Sequence, residues 1–229
     1  MIKVLYAAAF AFAPVIASAA TVTPAFVDQG LDTTNAQGTR MYRADLSGLG
    51  LTEIGSVKIT DSNSGLGGST GIYSGFDLDA IFLDVDGSLA TAGDRHFASS
   101  FLYAAGSIRP GSFAPPSPSG GPLNGAMSST QVDTAWATLD EVDAIWFDQG
   151  SLTLGDGGIL TAAFTTPIQV LSSLYLFVGE VSGDPGENVT GAIEVSDEVP
   201  ETPAVPLPAS ALLLLGALGM LGLRRRGAS

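Results

Sequence analysis

Asp79-Ala80-Ile81-Phe82-Leu83-Asp84-Val85-Asp86-Gly87-Ser88-Leu89 is the stretch on which the fold class turns. Four apolar residues stand between two Asp, and a Gly-Ser-Leu turn follows. An apolar run this short, rich in branched and aromatic side chains and closed by turn formers, is a strand rather than a helix. The pattern returns as Asp143-Ala144-Ile145-Trp146-Phe147-Asp148-Gln149-Gly150-Ser151-Leu152, one residue shorter at the turn. Gly-Asp follows both copies, at Gly93-Asp94 and Gly155-Asp156. Two readings stand: two equivalent strands of a pseudo-symmetric sandwich, or two hairpins that converged on the same turn chemistry.

Working outward, similar runs recur every ten to twenty residues. Strands are expected at Thr39–Leu46, Gly55–Thr60, Asp79–Val85, Ser99–Ala104, Val142–Asp148, Ile159–Phe164, Ser173–Ser182 and Thr190–Ser196. Gly, Asn, Asp and Ser bound them, and no long stretch carries a 3.6-residue period. The expected fold is all-β: a jelly-roll-like β-sandwich formed by residues 21–197. Residues 106–125 (GSIRPGSFAPPSPSGGPLNG) interrupt the pattern with Pro and Gly throughout and read as a mobile surface loop, or as a linker between two small domains.

Composition narrows the chemistry. The 229 residues include no Cys, which excludes a disulfide scaffold, a thiol nucleophile, thiolate zinc, iron–sulfur ligation and c-type haem attachment. One His excludes multi-histidine metal sites. Nine Lys and Arg against 23 Asp and Glu argue against a nucleic-acid partner, because phosphate neutralisation needs a basic surface. Lys3 and Arg224 to Arg226 lie at the two ends, whereas all the acids fall between Asp28 and Glu201. The body is therefore more acidic than the chain as a whole, and such a surface attracts divalent cations.

The Asp clusters are the one constellation able to carry chemistry. Asp77, Asp79, Asp84 and Asp86 fall together, with Asp143 and Asp148 in the second copy. They read either as strand-end and turn residues that solvate a surface, or as oxygen ligands for a structural Ca²⁺. Asp84-Val85-Asp86-Gly87-Ser88 is like the start of a calcium loop, but its twelfth position is Arg95 instead of a bidentate Glu. With a period of two, Asp77 and Asp79 share a face with Ile81 and Leu83, while Asp84 and Asp86 share one with Phe82. The carboxylates meet only at strand ends or through a bulge. Catalysis has less behind it: His96 is the single His, and no Gly-x-Ser-x-Gly elbow precedes a helix. No enzyme activity is expected. Aromatic faces beside Asp suit a sugar, with Tyr73, Phe76, Trp136 and Trp146 as candidates against core packing; Trp146, mid-strand, is read more as core, which leaves Tyr73 and Trp136 as the possible glycan contacts.

The two ends are addresses. Residues 1–20 read as a signal peptide, with Lys3, an apolar run from Val4 to Ile16, and Ala17-Ser18-Ala19 before a cut after Ala19 or Ala20. Residues 198–204 form a Pro-rich linker. Residues 205–226 then hold Val205-Pro206-Leu207-Pro208-Ala209, an apolar run to Leu223, and Arg224-Arg225-Arg226. Val205 to Leu223, as a helix, is about 28 Å long, enough for one transmembrane span with the Arg cluster on the cytoplasmic side. The two Pro keep the motif extended and open to a protease.

This tail, paired with a signal peptide, resembles the PEP-CTERM sorting signal in its VPLPA-CTERM variant; the commoner pattern has Glu where Leu207 stands. The resemblance covers about 25 residues. It implies signal peptidase and an exosortase as partners, an inner-membrane intermediate with the body in the periplasm, and a final place at the cell surface or outside the cell. The function expected is structural or adhesive, in a biofilm or exopolysaccharide. A Ca²⁺-assisted carbohydrate-binding module is the first alternative and a secreted hydrolase using an Asp pair the second.

Overall fold

A computed structural model describes residues 19–32, 38–65, 69–111, 119–145, 149–181 and 191–200. Ala17, Trp146, Asp148, the motif Val205 to Ala209, the expected membrane helix and Arg224 to Arg226 lie outside the described residues. Among the described residues the chain is all-β, and no helix is long and apolar enough to cross a membrane.

The strands are β1 (Thr21–Val22), β2 (Phe26–Asp32), β3 (Thr39–Asp45), β4 (Glu53–Thr60), β5 (Asp77–Asp84), β6 (Arg95–Phe97), β7 (Ser100–Ala104), β8 (Ala126–Ser128), β9 (Gln131–Val132), β10 (Leu152–Thr153), β11 (Ile159–Gln169), β12 (Tyr175–Val181) and β13 (Ala192–Ser196). One antiparallel sheet has the order β1-β13-β4-β11-β7; a second runs β10-β5-β12-β3-β2, with β6 also on β5; β8 and β9 form a small ribbon. Seven of the eight expected strands are present within a few residues, and β2 is the longest one missed.

Period-two alternation makes these segments pay for their ordering through burial. In the first sheet Val57 and Ile59 enter the core, while Lys58 between them faces out and donates to Glu194, its register partner on β13, at 3.0 Å. A single core cluster takes Ile54, Val57, Leu160, Ala162 and Val195 from the first sheet, and Ala44, Ile81, Leu83, Leu176 and Val178 from the second. Fully burying a side chain of this kind contributes about 1.5–3 kcal/mol. A smaller cluster of Met41, Ala80, Phe82 and Phe177 lies on the second sheet's other face, with Leu89 and Val142 packed against it. The Phe82 and Phe177 rings stack at 5.2 Å.

The described part of the apolar run in the second copy is not a strand. Val142 to Ile145 are irregular. The reason lies at the outer edge of β5, which β10 occupies at Leu78 and β6 at Phe82 to Asp84. In the gap between them the Ile81 N–H donates to Leu139 O at 2.9 Å. Asp79 Oδ1 accepts the N–H groups of Asp143 and Ala144 at 3.2 and 3.0 Å. A carboxylate therefore holds this segment where a strand pairing would otherwise do so.

Asp79 is also the residue at which β5 changes face. Gly179 lies opposite Ala80 and Glu180 opposite Leu78, leaving Asp79 as the extra residue of a bulge. Strict alternation from Asp77 to Leu83 does not hold: Leu78 joins Ile81 and Leu83 in the main core. The described ends of the 106–125 segment are tied into the body. Gly106 N–H donates to Leu154 O at 2.8 Å, Ser107 bridges to Asp156, and Leu123 is fully buried in the core. The two ends of the body also meet, the Ala20 N–H donating to Asp197 Oδ1 at 2.9 Å.

Candidate functional site

Two features close to β6 offer functional chemistry: an acidic loop at its start and a cleft at its end. The acidic loop joins β5 to β6. Asp84, Asp86 and Asp94 each present a carboxylate oxygen within 4.8 Å of the others, the one such group among the described residues. Asp84 closes β5, Asp86 stands in the turn, and Asp94 returns because β6 runs antiparallel to β5 with Asp84 opposite Arg95.

Each carboxylate helps to shape the loop. Asp84 Oδ1 accepts from the Gly87 N–H at 2.6 Å, and Asp94 Oδ2 accepts from the Asp86 N–H at 3.1 Å. Asp86 accepts the Ser88 N–H and the Thr91 hydroxyl, both at 2.8 Å. Gly87 has φ +71°, and a Cβ there would stand 2.8 Å from the Tyr175 ring, so the turn admits only glycine without strain. Burial, and then the neighbouring carboxylates of Asp94 and Asp86, push the Asp84 carboxyl above its ordinary pKa. The hydrogen bonds from Thr91 and Ser88 hold that of Asp86 below it.

The other sequence-expected carboxylates serve elsewhere. Asp77 accepts the Thr153 hydroxyl, and Asp143 accepts the Thr138 hydroxyl at 2.8 and 2.9 Å. Asp79 is fully buried and accepts the Thr39 hydroxyl besides its two amides. Its burial raises its pKa to about 6, against the opposing pull of those hydrogen bonds. None of the three joins the Asp84–Asp86–Asp94 group.

The cleft, about 580 Å³ in volume, lies between β6–β7, the β8–β9 ribbon and residues 134–140. Phe97 and Phe101 supply aromatic surface, and Ser99, Gln131, Thr134 and Asp140 supply polar groups. Phe97 is 42% exposed and Met127, on the same cleft, 56% exposed. The volume and the mixture of aromatic faces with hydrogen-bonding groups suit a small polar ligand with apolar faces. Tyr73 and Trp136 do not line this cleft. Trp136 is half-buried and its Nε1 donates to Asn124 Oδ1 at 3.2 Å. Phe76 belongs to the main core.

Sequence reading found Asp84 and Asp86 but left Asp94, Phe97 and Phe101 without a role. The signal for Asp94 was its place just after the turn in Gly93-Asp94, with a three-residue strand following that was too short to recognise. Comparison with known protein families, curated proteins and solved structures finds no match to this chain.

Proposed function

We propose that this chain is an exported surface or matrix protein with a structural and adhesive role in exopolysaccharide. On this reading its two sheets stack as a jelly-roll-like sandwich. Signal peptidase cuts near Ala20, the segment 205–226 holds the product in the inner membrane, and an exosortase-type protease removes that tail. The sandwich reading is supported by the shared core and by the way the longer strands divide between two sheets along the chain: β2, β3, β5 and β12 in one, β4, β7, β11 and β13 in the other. The sorting reading is supported by the start of β1 at Thr21, directly after the expected cut, and by the contact of Ala20 with Asp197. Both address segments then leave the body from one place.

The observation that carries the adhesive reading is the cleft beside β7, with Phe97 presented to solvent among hydrogen-bonding side chains. Sugar rings offer apolar C–H faces that stack on aromatic rings and hydroxyls that pair with Gln and Asp. The test is retention of the protein on immobilised exopolysaccharide. Phe97→Ala, which also gives up an edge contact with the buried Phe82 ring, is expected to stay folded at the assay temperature and to lower retention at least five-fold; equal retention of folded variant and parent refutes the assignment. For sorting, mass spectrometry of surface material is expected to show the tail missing, and an intact Leu223-Arg224 bond there refutes exosortase processing.

A further inference from the structure

We propose that Asp84, Asp86 and Asp94 bind one Ca²⁺ ion. The inference concerns cation binding alone and stands or falls apart from the glycan reading. Three acids in a loop do not by themselves make a site. What singles these out is an oxygen of Asp84 that the fold buries and leaves without a hydrogen-bond donor. Asp84 is fully buried, and its Oδ2 has no hydrogen-bond partner, although Oδ1 is satisfied by Gly87. Asp94 repeats the arrangement: Oδ2 holds the Asp86 amide while Oδ1 is buried without a partner. A buried carboxylate oxygen without a donor is costly, and two within one small group are explained by a cation between them.

Two guanidinium groups reach this loop among the described residues: Arg43, whose Nη1 donates to Gly87 O at 2.9 Å, and Arg95, which is ion-paired with Asp84. The Arg95 Nε forms an ion pair with Asp84 Oδ2 at 3.9 Å, beyond hydrogen-bonding distance, and makes no hydrogen bond. Its Nη2 donates to Leu89 O at 2.8 Å, and its guanidinium lies 4.4 Å over the Phe82 ring. Three carboxylates against the Arg95 and Arg43 guanidinium groups still leave negative charge in excess, which a bound cation offsets.

Donor chemistry and spacing select the ion. All the donors are hard oxygens, which exclude a preference for soft metals. An ion with ligands at about 2.3–2.6 Å accommodates donors up to roughly 5 Å apart, which matches the 4.8 Å limit within this group. Mg²⁺ demands tighter octahedral bonds near 2.1 Å and keeps most of its waters, so it competes weakly here. The bound ion would tie the end of β5 to the start of β6, and β6 carries Phe97 at its other end.

The test uses the full chain in detergent micelles, stripped with EDTA and exchanged into metal-free buffer. CaCl₂ is added in a calorimeter, and TbCl₃ in a parallel luminescence titration. Tyr175, in register opposite Asp84, is the sensitiser for terbium. One site is expected, with a dissociation constant of about 10⁻⁴–10⁻³ M, the range of extracellular calcium modules. Asp86→Asn, at an exposed position, and Asp94→Asn are each expected to weaken binding ten-fold or more. Glu194→Gln, on the other sheet, is expected to change it less than two-fold. Absence of heat and luminescence up to 10 mM Ca²⁺ or Tb³⁺, on the order of ten times the weakest expected constant, overturns the proposal. So does parental affinity in both Asp variants, which would put the ion elsewhere. A ten-fold preference for Mg²⁺ over Ca²⁺ overturns the choice of ion.

Discussion

Asp79 is a carboxylate in the wall of the fold, and replacing it with Asn isolates what its charge costs. Asp79→Asn keeps the side-chain shape. Its Oδ1 can still accept the amides of Asp143 and Ala144, and its Nδ2 can turn to the Thr39 hydroxyl oxygen. Burial raises the native pKa from 3.8 to about 6. The folded state therefore binds a proton more tightly than the unfolded chain. Stability from this group is fully present below about pH 3.8 and is lost as pH rises through about 6. The whole shift corresponds to about 3 kcal/mol, of which about 1.4 kcal/mol disappears between about pH 5 and pH 7.5.

The assay is urea unfolding of parent and Asp79→Asn across that range. Asp28, Asp45 and Asp86 have lowered pKa values and lose their contribution only at lower pH, whereas the raised Asp84 carboxyl changes in the same direction as Asp79, so the difference between the two proteins is the quantity to read. The parent is expected to lose about 1.4 kcal/mol relative to the variant from pH 5 to pH 7.5. Parallel profiles would show that Asp79 titrates as it does in the unfolded chain, and the account of a charge buried at the β5 bulge would fail.

Other outcomes follow from packing and charge. Phe177→Ala removes the ring stacked on Phe82 and is expected to cost about 3–5 kcal/mol in equilibrium unfolding; a loss below about 1 kcal/mol would deny the second apolar cluster its role. Gly75 has φ +77°, and a Cβ there would stand 2.6 Å from the Gly155 carbonyl, so Gly75→Ala should cost more than the roughly 1–2 kcal/mol of the left-handed backbone alone, measured as a drop in melting temperature. Lys58→Met breaks an exposed cross-strand ion pair and should change stability by less than about 1 kcal/mol; a larger loss that salt screens would mean the pair is stronger than its exposure allows.

The β class and most of the strand positions are legible in the chain alone, because alternation and turn chemistry act between near neighbours. Val57, Lys58 and Ile59 show their in-out-in pattern without reference to any partner. The same local reading could not separate Asp79–Leu83 from Asp143–Phe147, whose residue patterns are almost the same. Tertiary structure separated them: β5 is paired along β12, whereas the segment from Val142 meets an edge already held by β10 and β6 and is taken up by the Asp79 carboxylate instead. Being a strand requires a free edge to join, and no window of a few residues records which edges are free. The candidate cation site divides in the same way. Asp84 and Asp86 are neighbours on the turn, but Asp94 joins them only because β6 folds back along β5, and the buried oxygens without a donor exist only once that pairing has excluded water.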